Sequence, residues 1–148
     1  MSQQITGNEH GNVLEAQIAL LLIRKKYAQV VAKHIDAVAD IAFFVRQYRG
    51  FTTLYGARMR LDFFIHHPQR WPDGLAIECK WQQAAGSVDE KFPYVVASLN
   101  QLICPSAIFL AGGGYTNRAR DWVLAQQTDR LIVLEGMDEI IRWTHAQF

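Results

Sequence analysis

Residues 58–82 read RMRLDFFIHHPQRWPDGLAIECKWQ. Branched and aromatic residues over Arg58–His66 and Leu75–Gln82 predict two strands, and Pro68, Pro72 and Gly74 between them predict the connection of an antiparallel hairpin. Side chains alternate faces along a strand. Arg58, Arg60 and Asp62 therefore share one face of the first strand, with Met59, Leu61, Phe63 and Ile65 turned to the core. Glu78, Lys80 and Gln82 share a face of the second, opposite Leu75, Ile77, Cys79 and Trp81. A symmetric connection over His67–Gly74 has its midpoint near Arg70, and Asp62 and Glu78 each stand eight residues from it. Opposed residues of an antiparallel pair have Cβ atoms roughly 4.5–5.5 Å apart. Two carboxylates that close repel, which does nothing for a sheet. A divalent cation between them resolves the conflict, because Mg²⁺ accepts hard oxygens from one or two carboxylates and completes its shell with water and phosphate oxygens. Lys80 lies about 6–7 Å further along the same face. An ammonium there orients an attacking water or offsets charge on a phosphoryl transition state.

Outside this hairpin, Asn12 and Glu15 are spaced as a capping box, and good helix formers follow to about Lys33. That helix is nearly apolar all round through its middle, which predicts burial. Ile41–Tyr48 reads as a further strand. Ser87 and Glu90 repeat the capping pattern ahead of Val88, Phe92, Val95, Val96, Leu99 and Ile103 at helical spacing, with Pro93 either kinking that helix or starting it. A strand at Ala107–Ala111 ends in three glycines, followed by a helix with Ala119, Trp122, Val123 and Gln126 down one side, a strand at Leu131–Leu134 and a closing helix after Gly136. The order helix, three strands, helix, strand, helix, strand, helix gives an α/β fold, a central mixed sheet flanked by helices. With 148 residues and neither repeat nor linker, residues 1–148 are expected to form a single domain.

Fifteen Lys and Arg against fourteen Asp and Glu leave a formal charge of +1, which confines any nucleic-acid surface to a local patch. Cys79 and Cys104 give neither a disulfide framework nor zinc-ligand spacing, so a reducing compartment is expected. The apolar run Ile18–Ile23 is too short to span a bilayer, and Met1–Asn12 lacks the regions of a signal peptide. The expectation is a cytoplasmic protein with no membrane partner.

Asp62, followed sixteen positions later by Glu78, Cys79 and Lys80, resembles the motif of the PD-(D/E)XK nucleases, the restriction-endonuclease-like superfamily. Gln82 completes a Glu-x-Lys-x-Gln form similar to that of several branches. The order of elements resembles the superfamily core, and Gly86–Lys91 followed by Ala107–Gly114 resembles, more loosely, small phage-borne or restriction-type members. Leu61 stands where the motif's name has proline. A literal Pro72-Asp73 pair occurs five residues before Glu78, but Asp73 falls in the expected turn, so Asp62 is preferred. The resemblance implies a restriction-endonuclease-like core and metal-dependent hydrolysis of DNA phosphodiester bonds, leaving 5′-phosphate and 3′-hydroxyl ends. It also implies Mg²⁺, with Mn²⁺ able to substitute, held by Asp62 and Glu78, and Lys80 beside the nucleophilic water. Glu15 matches the further acidic residue that members often carry on the first helix.

Each candidate has a plainer counterpart. Glu15 fits equally as a capping residue, and Gln82, a candidate contact for metal-bound water or phosphate, is ordinary near a strand end. Arg46, Arg49, Arg58 and Arg60, interleaved with Tyr48, Phe51 and Tyr55, form the only basic and aromatic cluster, and Lys91 follows the catalytic strand. These five are the expected contacts to the DNA backbone, scattered surface charge being the competing account. Gly112–Gly114 lacks the Gly-Lys-Ser/Thr ending of a P-loop and reads as a turn. A chain this small has little room for a separate recognition domain, so cutting both strands calls for a homodimer or higher homo-oligomer. The alternatives are a non-catalytic nucleic-acid-binding or assembly module on the same fold and a junction-resolving nuclease.

Overall fold

A computed structural model describes residues 7–81 and 88–148. In chain order the elements are α1 (Gly7–Arg24), β1 (Ala28–Gln29), a 3-10 segment (Ala32–Val38), β2 (Phe43–Thr52), β3 (Arg58–His67), β4 (Trp71–Trp81), α2 (Val88–Asn100), β5 (Ser106–Ala111), α3 (Asn117–Ala125), β6 (Leu131–Glu135) and α4 (Met137–Gln147). The strands form one mixed sheet in the order β1-β2-β3-β4-β5-β6. β2, β3 and β4 are an antiparallel meander, whereas β1 pairs parallel with β2 and β4, β5 and β6 run parallel. This is the α/β architecture expected from the order of elements.

Parallel neighbours need a crossover, and α2 and α3 supply those from β4 to β5 and from β5 to β6. Crossovers of one hand that step in one direction put their helices on the same face. Phe92, Val96 and Leu99 of α2 and Val123 of α3 accordingly share one core cluster. The opposite face is covered by α1 and α4 through Leu14, Ile18, Leu22, Ile140 and Phe148. β5 lies between these layers and is buried at every residue, so Ser106–Ala111 is almost continuously apolar rather than alternating.

Several expectations are corrected. α1 begins at Gly7 and ends at Arg24, not Lys33, so Asn12 lies inside it and Glu15 is no partner of an Asn12 cap. The helix closes with Lys26 in the left-handed region at φ 71°. Lys26 N–H donates to Ile23 O and Tyr27 N–H to Leu22 O, both at 3.0 Å, the bond pattern of a Schellman cap. A glycine would advertise such an end; a lysine does not. Nor is α1 buried all round, since Val13, Leu20 and Ile23 are 48 %, 55 % and 48 % exposed. α2 starts at Val88 and carries Pro93 within it, Ile103 lies beyond its end and is exposed, and on α3 Trp122 is exposed while Val123 is buried.

The β3–β4 turn is shorter than expected. It occupies Pro68–Arg70, and His67 Nδ1 accepts from the N–H groups of Gln69 and Arg70, both at 3.2 Å. Trp71–Gly74 belongs to β4, which bulges where the register passes from His67↔Trp71 to Ile65↔Leu75. A bulge tolerates Pro72, whose missing N–H would weaken a regular ladder. Gly74 has φ 94°, and a Cβ there would run into the Phe64 ring. Gly74→Ala is therefore expected to destabilise the fold by roughly 2–4 kcal/mol, from backbone strain plus overpacking. Urea unfolding measures it, and an unchanged midpoint would show that the bulge yields freely.

Candidate active site

In the β3–β4 ladder the register Ile65↔Leu75, Phe64↔Ala76, Phe63↔Ile77 brings Asp62 and Glu78 to the next step. There the sheet changes character. Met59 and Leu61 pack in the cluster under α2 and α3, whereas Phe63 and Ile65 pack in the cluster under α1 and α4. The uninterrupted alternation expected across Arg58–Ile65 thus breaks at Asp62. The neighbouring strand breaks at the matching place. The Arg46 guanidinium lies 5.7 Å from the centroid of the Phe63 ring on one face, while Tyr48 stacks on Phe64 at 4.7 Å on the other. Gln47 between them has φ 53°, a left-handed residue in mid-strand. Such a residue reverses the pleat, so strand positions two apart no longer share a face.

The consequence falls on Asp62. Its Oδ2 accepts the Cys79 N–H at 2.7 Å. A strand N–H lies in the plane of the sheet, so the carboxylate that receives it lies in that plane too, between β3 and β4. From there it meets acids brought by both layers. Glu15 on α1 and Glu78 on β4 both stand close enough for their carboxyls to feel the Asp62 charge. Gln47 Nε2 donates to Glu15 Oε1 at 2.9 Å, and Lys80 Nζ stands 3.5 Å from Glu78 Oε1. Leu75, Ile77 and Cys79 pack with the α1 layer, which turns Glu78 and Lys80 toward α2.

Electrostatics register the crowding. Glu15 and Asp62 are only 9 % and 6 % exposed, although both are acids. Burial, then the Asp62 charge, pushes the Glu15 carboxyl up from 4.5 to about 6, with Arg46 and Arg60 opposing. Burial raises Glu78 well above the usual carboxylate range, Lys80 pulls it down and Asp62 pushes it further up. The Cys79 thiol is raised by burial and then by Asp62, Glu15 and Glu78 in turn. Lys80 retains 26 % exposure, so its amine remains reachable from solvent.

Desolvated hard oxygen donors carrying excess negative charge fit a small divalent cation. Among the described residues no three His, Cys, Asp or Glu side chains stand together at metal-ligand spacing. Asp62 and Glu78, on adjoining strands, are two such donors.

Without a cation the cluster works against the fold. Because Glu15 is held near 6 in the folded chain against 4.5 when unfolded, its protonated form favours folding. That contribution is fully present below the unfolded value and is lost as pH rises through the folded one. Glu15→Gln is expected to stabilise the metal-free protein by about 1 kcal/mol above pH 7, with the advantage fading toward pH 4.5. Thermal melts in EDTA across this range measure it, and a destabilised variant at pH 8 would show that the carboxylate supports the fold.

The expected phosphate contacts divide. Arg58 and Arg60 are exposed and border a pocket with Glu78, whereas Arg46 lies over Phe63 on the α1 side; the charges of Arg46 and Arg60 are both felt at Glu15. Arg49 and Lys91 are exposed, and Gln82 lies outside the described residues. Asp73, expected in the turn, is instead an exposed residue of β4 whose charge is felt at Cys104. Gln47 was not among the residues singled out from the sequence, since nothing in a strand-like run marks a non-glycine residue as left-handed.

The family described as PD-(D/E)XK nuclease superfamily domain matches residues 6–148, and the chain belongs to that superfamily. Its sheet and flanking helices are accordingly a restriction-endonuclease-like core, and nucleases of this group generally use divalent metal ions. No curated protein and no solved structure matches the chain. Among the described residues no helix is long and apolar enough to cross a membrane.

Proposed function

We propose that residues 1–148 form a single-domain, Mg²⁺-dependent DNA endonuclease working in the cytoplasm. The observation that carries this reading is the convergence of Glu15, Asp62, Glu78 and Lys80, from three elements, on one gap in the sheet. Asp62 and Glu78 would hold the ion, which when bound supplies Lewis-acid charge to the scissile phosphate and lowers the pKa of water; Mn²⁺ would serve in its place. The Lys80 ammonium orients the attacking water and offsets charge developing on the phosphate. Gln47 fixes the Glu15 carboxylate, which limits how the acids can rearrange. Arg58 and Arg60 take the DNA backbone beside Glu78, and Arg46, Arg49 and Lys91 extend that contact. Gln82 follows Lys80 as a further polar contact for the water or phosphate. The exposed apolar side of α1, with Val13, Leu20 and Ile23, supports a homodimer or higher homo-oligomer, which double-strand cutting requires.

Supercoiled plasmid and a four-way junction, each incubated with Mg²⁺, with Mn²⁺ or with EDTA, test this reading. Cleavage of the plasmid by either metal and its loss in EDTA are expected, with 5′-phosphate ends. Cutting confined to the junction would favour a resolving nuclease. Binding without cutting any substrate would favour the non-catalytic module.

A further inference from the structure

We propose that the pocket beside Glu78 receives a single unpaired nucleobase, so that the nuclease acts on DNA with a base out of the helical stack. This rests on the nuclease reading only in placing the scissile phosphate at Glu78 and Lys80. The pocket, about 170 Å³, is lined by Thr53, Arg58, Arg60, Glu78, Tyr94 and Ser98, among others. Its size and mixed lining suit one flat polar ring rather than a duplex groove.

Three observations point to a base. The ring of Tyr55, 84 % exposed at the tip of the β2–β3 hairpin, lies against Tyr94 with centroids 5.2 Å apart and planes tilted by 33°. A tyrosine pair left open to solvent offers a face to stack on, and a base within a duplex has both of its own faces covered. The platform is fixed before any ligand arrives, since Leu54 N–H donates to Ser98 Oγ at 3.1 Å and Gln101 Nε2 donates to Thr52 O at 3.0 Å, tying the hairpin to α2. Second, the Thr53 hydroxyl is buried without a hydrogen-bond partner at the pocket wall. Buried polar groups are normally satisfied, and the edge of a base presents both donors and acceptors. Third, the exposed residues Arg58 and Arg60 border the same pocket, so positive charge lies close by for the flanking phosphates.

Binding is measured by fluorescence anisotropy in EDTA, which keeps any cleavage out of the reading. The probes are a labelled single-stranded oligonucleotide, its fully paired duplex and the same duplex with one bulged base. The full chain is expected to bind the single strand, the bulged duplex or both more tightly than the paired duplex. Tyr55→Ala and Tyr94→Ala are expected to weaken that binding roughly ten-fold, with paired-duplex affinity unchanged and Tyr94→Phe close to the parent. Tyr55→Ala guards against misfolding, because the residue is almost fully exposed. Tyrosine-dependent binding of either unpaired probe supports the pocket, the two probes separating a single strand from an extruded base. Equal affinity for all three probes, or indifference to both alanine variants, overturns it. If the tyrosine dependence holds while no substrate is ever cut, the hydrolase reading fails and the pocket stands.

Discussion

Lys80→Ala is expected to reduce plasmid cleavage roughly 10²–10³-fold while leaving the fold and divalent-metal binding in place. The amine lies 3.5 Å from Glu78 and is 26 % exposed, so it is held at the site yet turned to where a substrate arrives. Its loss also removes a charge that draws the Glu78 carboxyl downward, and Glu78 should then be harder to ionise in the metal-free protein. A saturating metal concentration compensates for that part but not for the lost ammonium. The variant should therefore show lowered kcat at saturating Mg²⁺, with the metal dependence shifted only modestly. Circular dichroism verifies the fold, and gel assays across Mg²⁺ concentrations give the rate. A variant that regains the parent rate at high Mg²⁺ would mean that Lys80 tunes metal affinity and has no part at the water or phosphate.

Asp62→Asn is expected to lower metal-dependent cleavage by about 10³-fold or more, the scale of several kcal/mol of charge stabilisation. Asparagine keeps the shape and an acceptor oxygen, so the Cys79 N–H retains a partner. It removes the charge that raises both Glu15 and Glu78. The metal-free variant should consequently melt no lower than the parent while binding the cation much more weakly. Calorimetric titration with Mn²⁺, paired with thermal melts in EDTA, separates the two effects. Unchanged Mn²⁺ affinity would remove Asp62 from the ligands, and a large drop in melting temperature would make it a structural residue.

Much of the fold can be read from residue pattern because burial writes that pattern directly. β5, covered on both faces, is an almost unbroken apolar run, and α4 buries Ile140 and Thr144 one turn apart. The β3–β4 register is instructive because two departures offset each other. The turn is Pro68–Arg70 rather than His67–Gly74, yet Phe63↔Ile77 remains centred on residue 70, since the bulge at Pro72–Gly74 lengthens β4 where the turn is short. Asp62 and Glu78 come together as spacing suggests, but by another route: the pleat reverses at Asp62 and the acid lies in the sheet plane. That reversal depends on Gln47 and the end of α1 on Lys26, both left-handed without being glycine. Tertiary packing imposes such conformations against local preference, so no residue-type signal announces them. Glu15 illustrates the same limit, since its spacing from Asn12 suggested a cap and only the earlier helix start releases it for the acidic cluster.

The central claim is that Asp62 and Glu78 share one divalent cation in the gap between β3 and β4. Crystals of the protein soaked in Mn²⁺ and measured at the manganese absorption edge test it most directly. The account predicts one strong anomalous peak within coordination distance of a carboxylate oxygen of both residues, and its disappearance in Asp62→Asn. A peak bound elsewhere on the chain, or none at saturating Mn²⁺, would contradict it.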